Sequence, residues 1–222
     1  MQISCYNDPR ILEIGVDEVG RGPLFGRVYA AAVIMPSVVS PREAINMSLI
    51  KDSKLFHSEK KIRQSADYIR EKAVAYAVCW RDEATVDRVN ILQATQEAMH
   101  EAITEAREKA ATTFDTEFRL IVDGNYFRPF PGVPHECFEK GDGRFASIAA
   151  ASILAKVARD EYIADLCAQR PDLVEKYDLL KNKGYGTARH REGIRKHGYT
   201  DGHRLSFRLK ELTPVDPNII PV

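Results

Sequence analysis

The sequence predicts an α/β domain with a mixed central β-sheet flanked by helices, plus a helical C-terminal extension. Two apolar runs near the start, Ile11–Asp17 and Val28–Met35, are joined by a glycine-rich connection that is too short for a crossover helix. A third apolar run, Phe118–Val122, follows two helical patterns, and further helical patterns come after it. A short connection makes neighbouring strands antiparallel, whereas strands separated by helices form the parallel part of a sheet. Both kinds of connection together predict a mixed sheet.

Apolar periodicity and the signals for helix starts and stops give each remaining element its expected bounds. Ser58 is the expected N-cap of a helix that ends at Lys72, because an acidic residue follows it and Ile62, Ala66 and Ile69 share one helix face. The other predicted elements are a strand over Ala73–Trp80, a long helix from Ala84 to Ala111, a weak strand at Cys137–Lys140, a helix over Phe145–Gln169, a shorter helix from Pro171 and a last helix between Gly186 and Gly198.

Composition narrows the class of protein. The 222 residues carry 32 Lys+Arg against 32 Asp+Glu, which excludes a uniformly basic nucleic-acid coat protein. A hydrophobic content of 44% is typical of a globular chain rather than a disordered one. No apolar run is long enough to span a membrane and the N-terminus has no signal-peptide pattern, so we expect a cytoplasmic protein, which we take to be a monomer. The cysteines are widely spaced and are expected as free thiols: Cys5, Cys79, Cys137 and Cys167.

Four acidic residues stand where predicted strands end or where a loop meets a helix. Asp17 and Glu18 end the first strand, Asp123 ends the third apolar run, and Asp142 precedes the Ala-rich helix. Taken singly, each has a structural explanation, because neighbouring strand residues point to opposite faces and aspartate commonly starts turns and caps helices. Taken together, carboxylates without neighbouring Cys or His are oxygen ligands for a hard cation, so Mg²⁺ or Mn²⁺ is expected rather than zinc. Such clusters serve two-metal phosphoryl chemistry.

The connection between the first two strands is a glycine-rich loop, Gly20–Gly26, with the sequence Gly-Arg-Gly-Pro-Leu-Phe-Gly. It is not a dinucleotide-binding fingerprint, because Phe25 stands where the third glycine is needed and a strand follows instead of a helix. Its exposed amides suit the close approach of a sugar-phosphate chain, and a simple tight turn is the alternative that this segment alone leaves open.

Positive charge is concentrated near the C-terminus. Lys181–Lys210, called the basic segment below, has nine Lys and Arg against two acids, a net charge of +7 that leaves −7 on the rest of the chain. A solvated helix face and a phosphate-binding surface with interleaved aromatic rings both fit this pattern. Its histidines are interpreted as surface or capping residues rather than as a zinc cluster: His190, His197 and His203.

Seven short motifs follow one another along the chain. They are I-G-V-D-E-V-G-R-G-P-L from Ile14, K-D-S-K from Lys51, V-D-G-N from Val122, K-G-D from Lys140, S-I-A-A-A-S-I-L-A-K-V-A-R-D from Ser147, N-K-G-Y-G-T from Asn182 and H-R-L-S-F from His203. In content and order they resemble bacterial ribonuclease HII over residues 11–208. This resemblance implies an RNase H-like fold and endonucleolytic cleavage of RNA in RNA–DNA hybrids.

The resemblance also implies roles for individual residues by their position in the motifs. The backbone of Gly20, Arg21 and Gly22 would read the 2′-hydroxyl at an RNA–DNA junction, and Tyr185 would be the junction tyrosine. Cleavage would fall on the 5′ side of a ribonucleotide embedded in DNA, as in ribonucleotide removal. The catalytic residues, which would also bind the Mn²⁺ or Mg²⁺ ions, would be Asp17, Glu18, Asp123 and Asp142.

On this hypothesis the chain has one catalytic domain with an appended binding element. We expect the RNase H-like catalytic domain over residues 1–170, a basic helical substrate-binding extension of the same domain over 171–212, and a Pro-rich tail over 213–222. The two-metal mechanism would leave 5′-phosphate and 3′-hydroxyl ends. Besides the basic segment as a whole, the further expected substrate contacts are Lys54, Asn125, Lys156, Arg159 and Lys183.

Three residues depart from the family pattern: Leu55, Phe25 and Arg27. Leu55 affects the expected phosphate contacts around Lys54, and Phe25 and Arg27 affect the expected shape of the glycine-rich loop.

Two rival functions remain open at this point. One rival is a nuclease of the same fold that acts on branched or all-DNA substrates. The other is a module that binds hybrids without cutting them; the acids argue against it, because carboxylates beside a polyanion weaken binding unless cations bridge them.

Overall fold

The computed structural model describes residues 11–36, 45–50, 53, 56, 58–111, 117–207 and 209. Lys54, Leu55, Cys5 and the expected tail over 213–222 lie outside the described residues. The strands are β1 (Ile11–Val19), β2 (Val28–Ile34), β3 (Ala75–Arg81), β4 (Glu117–Asp123) and β5 (His135–Phe138). The helices are α1 (Glu59–Lys72), α2 (Glu83–Val89), α3 (Ile91–Ala111), α4 (Ala146–Gln169), α5 (Asp172–Tyr177), α6 (Leu179–Asn182) and α7 (Ala188–His197).

The strands form one mixed sheet, as the sequence predicts, and their order in it is β3-β2-β1-β4-β5. β1 pairs with β2 in an antiparallel sense and β2 pairs likewise with β3, whereas β1 and β4, and β4 and β5, are parallel. The carboxyl ends of β1, β3, β4 and β5 therefore share one edge of the sheet with the amino end of β2. Asp17, Glu18 and Asp123 lie at the carboxyl ends of β1 and β4, and Asp142 comes shortly after the carboxyl end of β5.

Helices cover both faces of the sheet. α3 packs on β1, β2 and β3 through a cluster that includes Leu12, Ile14 and Val16 of β1. α1 and α4 pack on the opposite face, where Ala31 and Val33 of β2 join a second cluster. Because alternate residues of a strand point to opposite faces, the near-continuous apolar runs in β1 and β2 are those of strands buried on both sides.

Gly15 in β1 allows a close contact between helix and sheet. A Cβ atom at this position would lie 2.2 Å from the backbone carbonyl carbon of Ser147, so only glycine lets α4 lie directly on the strand. The Ser147 hydroxyl donates a hydrogen bond of 2.9 Å to the buried carboxylate of Glu13, on the same face of β1. This packing fixes the position of β1 relative to the first turns of α4.

The prediction of a single helix from Ala84 to Ala111 is wrong, because the helical conformation is interrupted at Asn90. Asn90 has φ of +69° and separates α2 from α3. Each helix has a side-chain cap: Asp82 accepts a hydrogen bond from the Thr85 amide at 2.8 Å, and Asn90 accepts one from the Gln93 amide at 3.1 Å. Asparagine adopts positive φ more readily than most residues, and its amide oxygen caps the new helix.

The C-terminal helices share a small core with the end of α4. Phe25 of the glycine-rich loop is fully buried there, among residues of α4, α5, α6 and α7 that include Ile163, Leu173 and Ile194. A four-residue helix, α6, lies between the two helices expected in this region. The extension is therefore packed against the loop that follows β1.

The described part of the chain has two further features, one in its helices and one in its cysteines. None of its helices combines the length and the apolar character that crossing a membrane requires. Cys79, Cys137 and Cys167 are free thiols, as expected.

We predict that Gly15→Ala lowers the free energy of unfolding by about 3 kcal/mol, because the added methyl group meets backbone atoms that cannot rotate away. Urea denaturation monitored by circular dichroism measures the change. Gly143→Ala is the matched control: a Cβ atom there meets nothing within 4 Å, so its effect should stay within about 0.5 kcal/mol. Equal stability of the two variants would contradict the packing described here.

Candidate active site

Asp17 and Asp123 come together because β1 and β4 are parallel neighbours. The register pairs Val16 with Val122, so the next residue of each strand is one of these two acids. Asp17 is buried, and its Oδ1 accepts a hydrogen bond of 2.7 Å from the Glu18 amide. The Ser152 hydroxyl on α4 also donates to the Asp17 carboxylate. The side chain of Asp17 is therefore held between the sheet and α4.

The acids at this edge of the sheet raise one another's pKa. Burial raises the pKa of Asp17 well above its ordinary value, and the charges of Glu18 and Asp123 raise it further. Burial also raises the pKa of Glu18; its ion pair with Arg21, at 3.3 Å, opposes this effect, and Asp123 adds to it. Carboxylates that destabilise one another's charged forms are those that a bound cation would stabilise.

Asp142 joins the same end of the sheet through Asp123. The Asp123 Oδ1 accepts a hydrogen bond of 2.7 Å from the amide of Gly141, which begins a short 3₁₀ turn over Gly141–Gly143. A Cβ atom on Gly141 would lie 2.6 Å from Ile148 of α4, so the turn is packed closely against the helix. Asp142 is buried within this turn, one residue from the amide that Asp123 binds.

The donor set of these four acids fits a hard divalent cation, because it consists of carboxylate oxygens. In the described residues, one group of three potential ligands has all its ligand atoms within 4.8 Å of one another, and it lies elsewhere, at Cys79, Glu101 and Glu105. Burial and the neighbouring glutamates raise the pKa of the Cys79 thiol to about 12. Sulfur is a soft ligand that does not suit Mg²⁺ or Mn²⁺, so this group does not replace the predicted site.

The glycine-rich loop begins two residues after Glu18. Gly20 has φ of +94°, and a Cβ atom there would lie 2.4 Å from the Nε of Arg159. Gly22 is exposed, and a Cβ atom on it would touch the ring of Tyr185 at 3.6 Å. The structure thus places Tyr185 against Gly22, in the loop that follows Asp17 and Glu18.

The family model described as Ribonuclease HII matches residues 14–210. The chain belongs to the ribonuclease HII family. Ribonuclease HII of Parabacteroides distasonis is 43% identical over 204 residues, covering 92% of this chain and 94% of that protein. Ribonuclease HII of Bacteroides thetaiotaomicron is 41% identical over 204 residues, covering 92% and 93%.

Solved structures support the RNase H-like fold class. The chain matches RNase HII of Archaeoglobus fulgidus, solved in complex with PCNA, with a TM-score of 0.66 at 22% identity, covering 91% of this chain and 98% of that one. It matches Bst-RNase HIII, solved in complex with Mn²⁺, with a TM-score of 0.61 at 21% identity, covering 84% and 70%. Ribonuclease HII members are metal-dependent ribonucleases acting on RNA–DNA hybrids, and this chain is an enzyme of that class.

The other expected substrate contacts differ in their exposure and in their ion-pair partners. Asn125 is exposed, two residues after Asp123. Lys156 forms an ion pair with Asp160, one turn further along α4. Lys183 is half-buried and lies 3.6 Å from a carboxylate oxygen of Glu59. Lys54 lies outside the described residues.

Arg159 was expected to hold phosphates, but its side chain is 1% exposed and faces the inner side of the loop. It donates hydrogen bonds of 3.3 Å to the carbonyl oxygens of Phe25 and Arg27. Its guanidinium also lies 5.9 Å from the ring centroid of Tyr185. Arg159 therefore stabilises the loop and the residue after it from their buried side.

Two histidines of the basic segment, which we expected as surface or capping residues, are not at the surface. His190 and His203 are buried, with their Nε2 atoms 3.1 Å apart. The Thr200 amide donates to His203 Nδ1, so the His203 Nε2 carries the proton and donates to His190. His190 Nδ1–H then donates to the carbonyl oxygen of Tyr185 at 3.0 Å. The pair holds the backbone of the residue whose ring lies beside Gly22, whereas His197 is exposed.

Sequence reasoning missed two residues that shape this site. Ser152, which donates to Asp17, was expected to cap or pack, and nothing in the sequence separates it from Ser147 in the same helix. Arg204 was counted with the phosphate-binding charges of the basic segment, but it is fully buried under the glycine-rich loop. Of the described basic residues in the segment, several are exposed as expected: Lys181, Arg189, Arg195 and Lys196.

We predict that acid destabilises the protein through the histidine pair. Burial and the neighbouring His190 lower the pKa of His203 to about 3, so the unfolded chain binds a proton there between about pH 6.5 and 3 while the folded chain does not. The free energy of unfolding should therefore fall with falling pH in this window, by up to about 1.4 kcal/mol per pH unit from this residue. Urea denaturation of wild type and His203→Gln measures the difference, and parallel pH profiles would contradict the prediction.

Proposed function

We propose that this chain hydrolyses RNA in RNA–DNA hybrids and cuts duplex DNA on the 5′ side of an embedded ribonucleotide, by a two-metal-ion mechanism that leaves 5′-phosphate and 3′-hydroxyl ends. The observation that carries the proposal is the position of the glycine-rich loop, which starts two residues after Glu18 and beside the buried Asp17. A group that recognises sugar and groups that hold metal ions are thus neighbours. The chain would act in ribonucleotide removal, as a cytoplasmic monomer.

The carboxylates of Asp17, Glu18, Asp123 and Asp142 would hold Mn²⁺ or Mg²⁺. The bound ions supply positive charge that offsets the repulsion among the acids and polarises the reacting phosphodiester. The role of the chain is to fix the acids before substrate arrives. Asp17 is held by the Ser152 hydroxyl and the Glu18 amide, and Asp123 by the Gly141 amide.

Recognition of RNA would fall to the loop and the tyrosine. Only a ribonucleotide presents a 2′-hydroxyl, which donates and accepts hydrogen bonds. Arg21 and Gly22 are exposed next to the acids, and glycine at position 22 leaves the backbone open to close approach. Tyr185 is 48% exposed beside Gly22, where its ring is available to stack on a sugar or base.

Phosphates on either side of the cut would be held by exposed cations and by polar groups near the site. The exposed Lys and Arg side chains of the extension supply charge complementary to the backbone. The other proposed contacts are Lys54, Asn125, Lys156 and Lys183.

We predict that the purified protein, supplied with Mg²⁺ or Mn²⁺, cuts a DNA duplex that contains one ribonucleotide at the 5′ side of that nucleotide. Separation of end-labelled products on a denaturing gel maps the cut, and phosphatase treatment identifies the 5′-phosphate. An all-DNA duplex of the same sequence should remain intact. Cutting of both duplexes would favour the rival nuclease that acts on all-DNA substrates. Metal-dependent binding without any cutting would favour the module that binds hybrids without hydrolysis.

We predict that Asp123→Asn lowers the rate of this cleavage by at least about 100-fold, because it removes a proposed metal ligand while keeping the oxygen that accepts from Gly141. The same variant should be more stable than wild type without divalent ions, because Asp123 raises the pKa of both Asp17 and Glu18 through charge repulsion. Single-turnover cleavage and thermal unfolding in EDTA measure the two effects.

Asp67→Asn is the matched control for this substitution. Asp67 is exposed on α1, where it pairs with Arg70. Its variant should keep wild-type cleavage and show no gain in stability. Normal cleavage by Asp123→Asn would refute the assignment of the metal site.

A further inference from the structure

We propose that Arg204 is a positioning residue that holds the glycine-rich loop in the shape that reads the 2′-hydroxyl. The inference rests on the proposed function and adds to it a residue from the far end of the chain. Arg204 is fully buried, although its place in the basic segment suggests a solvent-exposed phosphate contact.

The guanidinium of Arg204 binds the loop along most of its length. Its Nη2 donates to the carbonyl oxygen of Gly20 at 2.7 Å, and its Nη1 donates to those of Arg21, at 3.1 Å, and Pro23, at 2.9 Å. Its Nε donates to the carbonyl oxygen of Gly26 at 2.9 Å. One planar group therefore collects four carbonyls of a seven-residue loop onto its inner side.

This arrangement determines where the loop amides point. In a trans peptide the carbonyl and the following N–H lie in one plane and point in opposite directions. Because the carbonyls of Gly20 and Arg21 are directed at the buried guanidinium, the amides of Arg21 and Gly22 are directed away from it. Both residues are exposed, so the amides face the side from which a sugar would approach.

Only arginine can make this set of bonds. Its guanidinium has five N–H donors in a rigid fork, whereas a lysine ammonium has three and binds as a point charge. All four bonds described here go to neutral carbonyls, so the cation remains as a source of positive potential beneath the loop. Burial and the nearby Arg159 lower the pKa of Arg204 to about 10, which leaves it charged at neutral pH.

The backbone around Arg204 is anchored independently of its side chain. The Arg204 amide donates to the Leu24 carbonyl at 2.9 Å, and the Gly202 carbonyl accepts from the Gly26 amide at 2.8 Å. On the other side, Asp87 of α2 accepts from the amides of Leu205 and Ser206. A substitution that shortens the side chain should therefore change the loop without releasing the segment.

The test compares binding of two duplexes on the Asp123→Asn background, with Mg²⁺ present. Fluorescence anisotropy gives Kd for a duplex with one ribonucleotide and for the all-DNA duplex of the same sequence. Arg204→Lys should lower the ratio of these constants about tenfold, the value of one hydrogen bond to a charged group. A purely structural role would reduce the folded fraction and weaken both affinities equally, so the ratio would stay unchanged. Arg70→Lys, on the exposed face of α1, is the matched control.

The outcomes separate this inference from the proposed function. An Asp123→Asn protein without preference for the ribonucleotide duplex overturns both. A clear preference that Arg204→Lys retains overturns only the role of Arg204. Should Arg204→Lys fail to fold, exchange of the guanidinium protons in the parent protein decides. The Arg204 N–H groups, which donate to four loop carbonyls, must exchange more slowly than those of the exposed Arg70, and equally fast exchange overturns the clamped loop.

Discussion

The parallel pairing of β1 with β4 is the constraint on which the site depends. It is possible because α2 and α3 carry the chain from the edge strand β3 back across the sheet, and it places Asp17 beside Asp123 at one edge. Gly15 completes the arrangement by admitting α4 against β1, which brings Ser152 to the Asp17 carboxylate. The positions of these acids thus follow from the order of the strands and from the contact between α4 and β1.

That geometry has an electrostatic cost. Buried acids that raise one another's pKa destabilise the metal-free protein, and Arg21 is the cation that meets Glu18 directly. The cost is consistent with a site built for bound cations and a polyanionic substrate. The balanced net charge of the chain conceals this arrangement, because the basic segment carries +7 and the rest of the chain, which includes the four acids, carries −7.

The basic segment serves two physical purposes. Its exposed side chains supply charge to the surface, while Arg204 and the His190–His203 pair are buried and bind backbone carbonyls of the loop and of Tyr185. Arg159 reaches the same loop from α4. Residues distant in sequence therefore determine the shape of a loop whose own glycines allow many conformations.

The sequence by itself determined the class of fold and most element positions, because apolar periodicity is a local signal. It also predicted the acids of the site from their places at strand ends and before a helix. It could not show that Asn90 divides a helix, because that break depends on one residue at positive φ. Nor could it separate exposed from buried cations, so Arg204 and Arg159 were assigned to phosphate. Burial and hydrogen-bond partners are decided by contacts between segments up to 184 residues apart, as between Arg204 and Gly20, and only the tertiary structure specifies those.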